Sequence, residues 1–313
     1  MWSYVARKLL YNIPVYLGIV LLLMVALRVN DPVSSMMGKN KSQEDMLAMK
    51  ESLGLARPLL EQYFDVLRFD LNVMSWKNQG LTVKQMFMDS IKPSLSITLP
   101  ALTLTSIISI SIALISAFFR GRRIDRILMV LAVIGMSVSF LVYIIFGQYY
   151  GAYLLTKETS WDLFAIGGYE SGIENWSYYC LLPVLISTLV AVGYDTRFYR
   201  AVMVEESGRD YIITAKAKGA TKTKVMFVHM LKNAMIPIIT RIMTTLPFLI
   251  MGSLLLEVYF NIPGMGRVLY KAIQEQDFPV VQSFVTIFAA IFILSNILTD
   301  VLYALVDPRV RLS

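Results

Sequence analysis

Long apolar stretches separated by polar segments dominate the sequence, and their lengths indicate the elements. A helix that crosses a bilayer needs about 20 consecutive apolar residues. Six stretches approach or exceed that length, and the fourth, which contains Pro183, is the shortest. They are Leu9–Leu27, Ser94–Phe119, Ile127–Tyr150, Tyr178–Val192, Ile236–Leu256 and Ser283–Val306. The pattern predicts an all-α membrane protein with six transmembrane helices.

Charge alternates along the chain in step with these stretches. The N-terminal residues are basic, as are the segments between the second and third and between the fourth and fifth stretches, whereas the other segments are neutral or slightly acidic. Because Lys and Arg concentrate in the cytoplasmic loops of membrane proteins, both termini are predicted to be cytoplasmic. This distribution accounts for the net charge of +7. With only 16% charged residues, the chain has no basic soluble domain for a nucleic-acid partner.

The same pattern divides the chain into three parts. Residues 1–30 hold the N-terminal stub and first span, 31–93 form an extracytoplasmic helical loop, and 94–313 form a five-span core with a cytoplasmic loop at 195–240. Within the extracytoplasmic loop, apolar spacing predicts short helices over Glu44–Leu53, Leu59–Phe69 and Val83–Ile91. Two roles are open for this loop: a cap over the bundle, or a surface that receives cargo.

The longest basic segment contains a predicted helical elbow. Its centre, Ala215–Thr221, reads Ala-Lys-Ala-Lys-Gly-Ala-Thr. Gly219 predicts the end of one helix, because glycine adopts the left-handed conformation without a Cβ penalty, and Thr221 can cap the next. The elbow would present small side chains and cations, a shape suited to docking into a groove on another protein.

The sequence carries no recognisable catalytic motif. It has one histidine, His229, and one cysteine, Cys180, which cannot supply the usual ligand set of a His/Cys metal site. The HExxH, GxSxG and GxxxxGK[ST] patterns are all missing from it. We therefore expect a non-enzymatic chain with no metal or cofactor of its own.

Polar residues inside the last apolar stretch form a second candidate site. Asn296 and Asp300 are four residues apart and share one helix face. An ionised carboxylate at membrane depth is costly and needs a partner. The candidates are Arg241, near the start of the fifth stretch, and the pair Arg197 and Arg200. Interhelical bonding on one hand, and a proton relay or substrate contact on the other, both remain open for Asn296, Asp300 and Arg241.

Several motifs together resemble one family. The cytoplasmic segments Arg197–Arg200, Asp210–Gly219 and His229–Pro237 are similar to the signature of ABC importer permeases, in the dipeptide/oligopeptide/nickel branch. The resemblance covers the whole chain, because further segments also fit: Leu53–Tyr63, Phe260–Gly266, Asp277–Gln282 and Asp307–Arg311.

The resemblance implies a type I importer permease fold and a permease's function. In that family the elbow is a coupling helix that inserts into a cytoplasmic ATPase. The residues implied in this contact are Ala215, Lys216, Ala217, Lys218, Gly219, Ala220 and Thr221. The implied partners are a second homologous permease, two ABC ATPase subunits that bind ATP, and an extracytoplasmic solute-binding protein.

The implied cargo is a peptide or peptide-like solute, and the implied location is the plasma membrane of a bacterium, the inner membrane if it is Gram-negative. Two alternatives stand beside this interpretation. One is a proton-coupled secondary transporter that uses Asp300, and the other is a membrane receptor or scaffold that does not transport.

Overall fold

The structure, a computed structural model, describes residues 2–29, 33, 42–78 and 80–306. The C-terminal motif Asp307–Arg311 lies outside these residues. The helices are α1 Trp2–Arg28, α2 Gln43–Ser52, α3 Leu59–Leu67, α4 Val83–Phe118, α5 Arg123–Ser137, α6 Phe140–Thr159, α7 Ile173–Glu206, α8 Asp210–Ala217, α9 Leu231–Met251, α10 Leu254–Tyr259, α11 Met265–Gln274 and α12 Phe278–Val306.

Five helical segments in the described part of the chain are long and apolar enough to cross a membrane, and a bent pair supplies a sixth. This confirms the predicted all-α membrane fold. Two short helical pieces, Lys222–Lys224 and the π-helical turn Val225–Met230, lead into α9.

The third predicted span is wrong in one respect, because it is not a single straight helix. Helices α5 and α6 meet at an angle of 89°. Val138 adopts an extended conformation, which ends α5, and Ser139 precedes the first residue of α6. The Tyr143 hydroxyl donates to the Gly135 carbonyl at 2.9 Å, satisfying an acceptor near the end of α5. A break at membrane depth is tolerated when the freed backbone groups find such partners.

The predicted bounds of three other helices also change. The fourth span extends far beyond Tyr178–Val192, since α7 runs for 34 residues with Pro183 inside it. The fifth span stops at Met251, because Gly252 has a φ of 77° and α10 begins separately at Leu254. The predicted short helix Val83–Ile91 is the start of the 36-residue α4, which continues through Pro93.

The chain forms two compact units. The first combines residues of 1–91 with 267–302. Its interior holds an aromatic cluster in which Phe87 meets Phe284 edge to face at 5.3 Å between ring centroids. The buried carboxylate of Asp277 organises the loop before α4 by accepting hydrogen bonds from the Ser75 hydroxyl and from the Trp76 N–H, the latter at 3.1 Å.

The second unit covers residues 92–266 and contains the elbow. Helices α5 and α7 pack closely within it at Gly193. A Cβ on Gly193 would lie 2.8 Å from the Ala132 carbonyl oxygen, so only glycine fits without displacing backbone. The Tyr194 hydroxyl donates to the Met136 carbonyl at 3.2 Å across the same interface. This packing extends α7 into a rigid support for the elbow.

Candidate functional site

The elbow has the geometry that its sequence predicts. Helix α8 ends with a Schellman arrangement, in which the Ala220 N–H donates to the Ala215 carbonyl at 3.1 Å and the Gly219 N–H to the Lys216 carbonyl at 2.9 Å. Gly219 has a φ of 80°, in the left-handed region. The Thr221 hydroxyl then accepts from the Lys224 N–H at 3.3 Å and caps the following turn. The predicted stop at Gly219 and cap at Thr221 are confirmed.

One side of the elbow is anchored in the core of its own unit. Ala215 and Ile212 are buried, and Val225 covers them from the turn that follows. They belong to an apolar cluster whose other buried members are Ala113, Leu114, Tyr199, Met203, Met230, Ala234 and Ile238. Ala215 thus faces the interior of the chain, and Ala220 is partly buried beside it.

The opposite side of the elbow is open. Lys216, Ala217, Lys218, Gly219 and Thr221 are all exposed. Small and cationic groups therefore make up the tip, and the buried cluster underneath holds it in place. Of the residues that the resemblance implied for a partner contact, these five are the ones accessible in this chain.

Ile213 is a further exposed residue on this surface that the sequence argument did not single out. Its side chain is 60% exposed and lies four residues, about one helical turn, before Ala217. Its position on the same helix face as Ala217 makes it part of the exposed surface of the elbow. The spacing from Ala217 was a signal in the sequence that would have identified it.

A hydrogen bond from Tyr211 connects the start of α8 with the end of α7. Its hydroxyl donates to the Glu206 carboxylate. Burial, followed by this hydrogen bond to a carboxylate, raises the pKa of Tyr211 to about 12. The tyrosine therefore stays protonated and keeps donating throughout the physiological pH range.

Lys222 links the elbow to the end of α4. Its ammonium nitrogen lies 2.8 Å from the Phe118 carbonyl oxygen and 4.1 Å from the centroid of the Phe118 ring. The first contact satisfies an orphan carbonyl at a helix C-terminus, where a cation is also favoured by the helix dipole. The second is a cation–π interaction. The sequence pattern gave no indication of this contact between Lys222 and the end of α4.

An ion pair with a buried carboxylate connects the first turn of α5 with α7. The Arg200 guanidinium makes two parallel hydrogen bonds to Asp125, Nε to Oδ1 at 2.7 Å and Nη2 to Oδ2 at 2.8 Å. The Ser116 hydroxyl and the Gly121 N–H also donate to this carboxylate. The sequence alone marks Asp125 only as one charge in a polar segment. Its position as the single acid among Arg120, Arg122, Arg123 and Arg126 was the available signal.

The polar residues at membrane depth pair differently from the sequence-based expectation. Asp300 forms an ion pair with Lys8, which joins α12 to α1. Arg241 contacts Asp195 at 3.3 Å, and Arg200 is the partner of Asp125. The suggestion that Asp300 is paired by one of these arginines is therefore replaced by the Lys8 pair.

Asn296 does not extend this pair into a buried polar network. It lies on a part of α12 that is exposed in this chain. In the described part of the chain, no group of three or more His, Cys, Asp and Glu side chains is arranged to hold a metal ion.

Another buried carboxylate lies after the fifth span. Glu257 is fully buried and accepts from the Ser94 hydroxyl at 2.7 Å and from the Ser253 N–H at 3.2 Å. The Ser94 oxygen also accepts from the Met265 N–H at 2.8 Å. A Cβ at Gly252 or Gly264 would overlap the Glu257 carboxylate. The glycines near this segment are thus needed for close approach to a buried charge.

Comparison with known proteins agrees with this architecture. Residues 109–312 match the family described as "Binding-protein-dependent transport system inner membrane component". The chain is 31% identical over 320 residues to "Probable peptide ABC transporter permease protein y4tP" of Sinorhizobium fredii, covering 99% of this chain and 100% of the relative.

It is likewise 31% identical over 319 residues to "Glutathione transport system permease protein GsiC" of Escherichia coli strain K12, with 99% of each chain covered. A protein of the same name from Shigella flexneri is 31% identical over 322 residues, again with 99% of each covered. Because the relatives cover 99% of the chain, these matches include the elbow, the bent α5–α6 pair and helices α2 and α3. The chain belongs to the family of inner-membrane components of binding-protein-dependent transport systems.

Proposed function

We propose that this chain is the permease subunit of an ABC importer that moves peptides or peptide-like solutes across the inner membrane. Its partners would be a second, homologous permease, two cytoplasmic ABC ATPase subunits and an extracytoplasmic solute-binding protein. ATP would be bound and hydrolysed by the ATPase subunits, while this chain supplies part of the pathway. The names of its relatives, which refer to peptide and glutathione transport, support this cargo class.

The observation that carries the proposal is the two-sided elbow. Its exposed tip, built from Lys216–Gly219 and extended by Ile213, suits a cleft on the ATPase because small residues allow close backbone approach. Its lysines would meet acidic groups at the rim of such a cleft, which favours correct orientation and fast association. Its buried side would transmit a movement of the ATPase subunits to the membrane-spanning helices.

Two contacts could transmit that movement from the elbow to the helices. Lys222 connects the elbow with the end of α4, and Arg200 connects α7 with the first turn of α5. A displacement of the elbow by closure of the ATPase subunits would therefore move α4, α5 and α7 together, as rigid-body transitions require. Ala215, in the buried cluster, would be part of this rigid base rather than of the docking surface.

Membership in this transport family argues against the two alternatives. A proton-coupled secondary transporter has no need of a binding protein, and a scaffold that does not transport has no need of a pathway. The Lys8 partner also gives Asp300 a structural explanation, an ion pair between α1 and α12, that requires no proton relay.

The test is uptake of labelled peptide in cells that carry the intact transport system. Ala217→Trp places a bulky side chain on the tip, and Gly219→Pro forces a negative φ where the structure needs 80°. Both should abolish uptake and recovery of the ATPase with the chain after gentle detergent extraction, while the chain still inserts in the membrane.

Matched controls are Ala217→Ser, which keeps the tip small, and Gly219→Asn, since asparagine tolerates the left-handed conformation. Both should retain most of the uptake. Normal transport by the Trp and Pro variants would contradict the coupling role. So would labelling of a thiol engineered at position 217 by an impermeant reagent on intact cells.

A further inference from the structure

Helix α3 carries an apolar surface that the proposed transport function does not use. Leu60 is 68% exposed and Phe64 is 58% exposed, and the two lie one turn apart. The other side of α3 is turned inward, where Gln62 is buried. The contacts of α3 with α1 explain why one face of the helix is buried and where the exposed apolar face lies.

Adjacent residues of α3 reach widely separated points on α1. The Tyr63 hydroxyl donates to the Leu17 carbonyl at 3.0 Å, and Gln62 accepts a hydrogen bond from Arg28. Leu17 and Arg28 are about 16 Å apart along the helix axis, at 1.5 Å per residue. The backbone of α3 must lie between these two levels.

A third contact supports the same placement. Phe69, which follows α3 with a φ of 54°, stacks on Tyr16 with ring centroids 6.1 Å apart. Tyr16 and Leu17 belong to the apolar part of a candidate membrane span that covers Ala6–Arg28. Helix α3 thus runs beside the half of α1 that ends at Arg28, and its contacts with Tyr16 and Leu17 lie in the apolar part of that span.

The ion pair between Lys8 and Asp300 gives a second measure of depth. It sets α1 and α12 in register, and Leu17 lies nine residues, about 14 Å, beyond Lys8 along α1. The same rise along α12 from Asp300 reaches the level of Ile291, well inside the span Phe278–Val301. Measured along either α1 or α12, the Leu17 carbonyl that accepts from Tyr63 therefore lies at membrane depth.

We propose that α3 lies in the outer leaflet of the bilayer and buries Leu60 and Phe64 among lipid acyl chains. The exposed apolar side chains of α1 at the same level, Leu21, Leu22 and Val25, continue this surface. The polar ends of α3 fit the headgroup region, where Arg57 and Arg68 both pair with Asp65 at 2.8 and 3.2 Å. An apolar face with charged flanks is typical of interfacial helices.

The proposal changes the role of the extracytoplasmic segment. Instead of projecting into water to receive cargo, its second helix would anchor the outer end of α1 in the membrane. The occupant of the surface is lipid, and neither a solute-binding protein nor the second permease would cover Leu60 and Phe64.

The experiment measures the accessibility of spin labels in proteoliposomes that contain the assembled transporter. Single cysteines at positions 60 and 64 are introduced after Cys180→Ala, because Cys180 is the only native cysteine. Leu22 of α1, 71% exposed, is the lipid reference. Glu51, exposed on the polar helix α2, is the water reference. The probes are molecular oxygen, which concentrates in lipid, and a water-soluble nickel chelate.

Labels at 60 and 64 should give an oxygen-to-nickel accessibility ratio close to that at Leu22 and several-fold above that at Glu51. If either label behaves like the one at Glu51, the helix is in water and the proposal is wrong. Low accessibility to both probes would show that protein covers the surface, which also overturns it. Retained peptide uptake by each labelled variant is the control for folding.

Discussion

The Arg200 guanidinium donates two parallel hydrogen bonds to the Asp125 carboxylate, although the two residues are 75 positions apart in the sequence. The Asp125 side chain is only 5% exposed. Ser116 and Gly121 complete its set of donors, so the charge is fully hydrogen-bonded where it is buried. The pair therefore fixes the first turn of α5 against α7, and the Gly121 N–H ties the preceding loop to the same carboxylate.

The first prediction concerns this pair. Arg200→Met should destabilise the protein by about 3–5 kcal/mol, because it leaves a buried carboxylate without its counter-charge. The double variant Arg200→Met with Asp125→Leu removes both charges and should recover much of this loss. Thermal unfolding in detergent measures both changes. If the double variant is no more stable than Arg200→Met alone, the unpaired charge of Asp125 is not the cause of the destabilisation.

The second prediction concerns the link between the elbow and α4. Lys222→Met removes the hydrogen bond and the cation–π contact to Phe118, together about 1–2 kcal/mol. Uptake should fall several-fold while the ATPase is still recovered with the chain, because the tip is intact. Lys224→Met removes the same charge from an exposed neighbour and should have little effect. Equal losses in the two variants would assign the effect to net charge.

The third prediction concerns the contact between α5 and α7. Gly193→Ala places a methyl group 2.8 Å from the Ala132 carbonyl oxygen and should lower the unfolding temperature. Gly135→Ala on α5 is the matched control, because a Cβ there meets nothing within 4 Å. Since alanine is the better helix former by about 1 kcal/mol, that control should be neutral or stabilising. A neutral Gly193→Ala would mean that the two helices do not approach this closely.

The fourth prediction concerns the buried Glu257. Ser94→Ala deletes the hydroxyl that bridges the Glu257 carboxylate and the Met265 N–H, and should cost about 1–3 kcal/mol. Ser90→Ala, one turn earlier on α4, loses only a local bond to the Phe87 carbonyl. It should cost clearly less stability than Ser94→Ala, because the Phe87 carbonyl that it releases remains within the hydrogen-bond ladder of α4. Unfolding temperatures of the two variants that coincide would argue against the bridge.

Local features were the most predictable from the sequence. The stop at Gly219 and the cap at Thr221 depend on residues within one or two turns, and both are as predicted. In the described part of the chain, each of the five candidate spans and the bent pair overlaps one of the predicted apolar stretches, because burial in lipid requires length and composition rather than a particular neighbour. Their ends were less accurate, as α7 shows, since its polar residues after Val192 remain helical through packing on α5.

Partnerships across the chain were not predictable in the same way. Asp300 needed a partner at membrane depth, but three arginines qualified equally and the structure pairs it with Lys8. No proline lies at the bend between α5 and α6, so the sequence does not indicate it. The bend depends on whether neighbouring side chains can form hydrogen bonds with the freed backbone groups. Each of these outcomes is set by which helices become neighbours.

The sequence by itself determined the apolar helices long enough to span a membrane and the shape of the elbow, because each follows from short-range chemistry and from partition between water and lipid. Tertiary structure alone decided which side of the elbow is buried, with Ala215 inside and Ala217 outside, and which charges meet. The reason is physical: a buried charge or an exposed apolar face selects its partner by proximity, and proximity is created only when the helices pack.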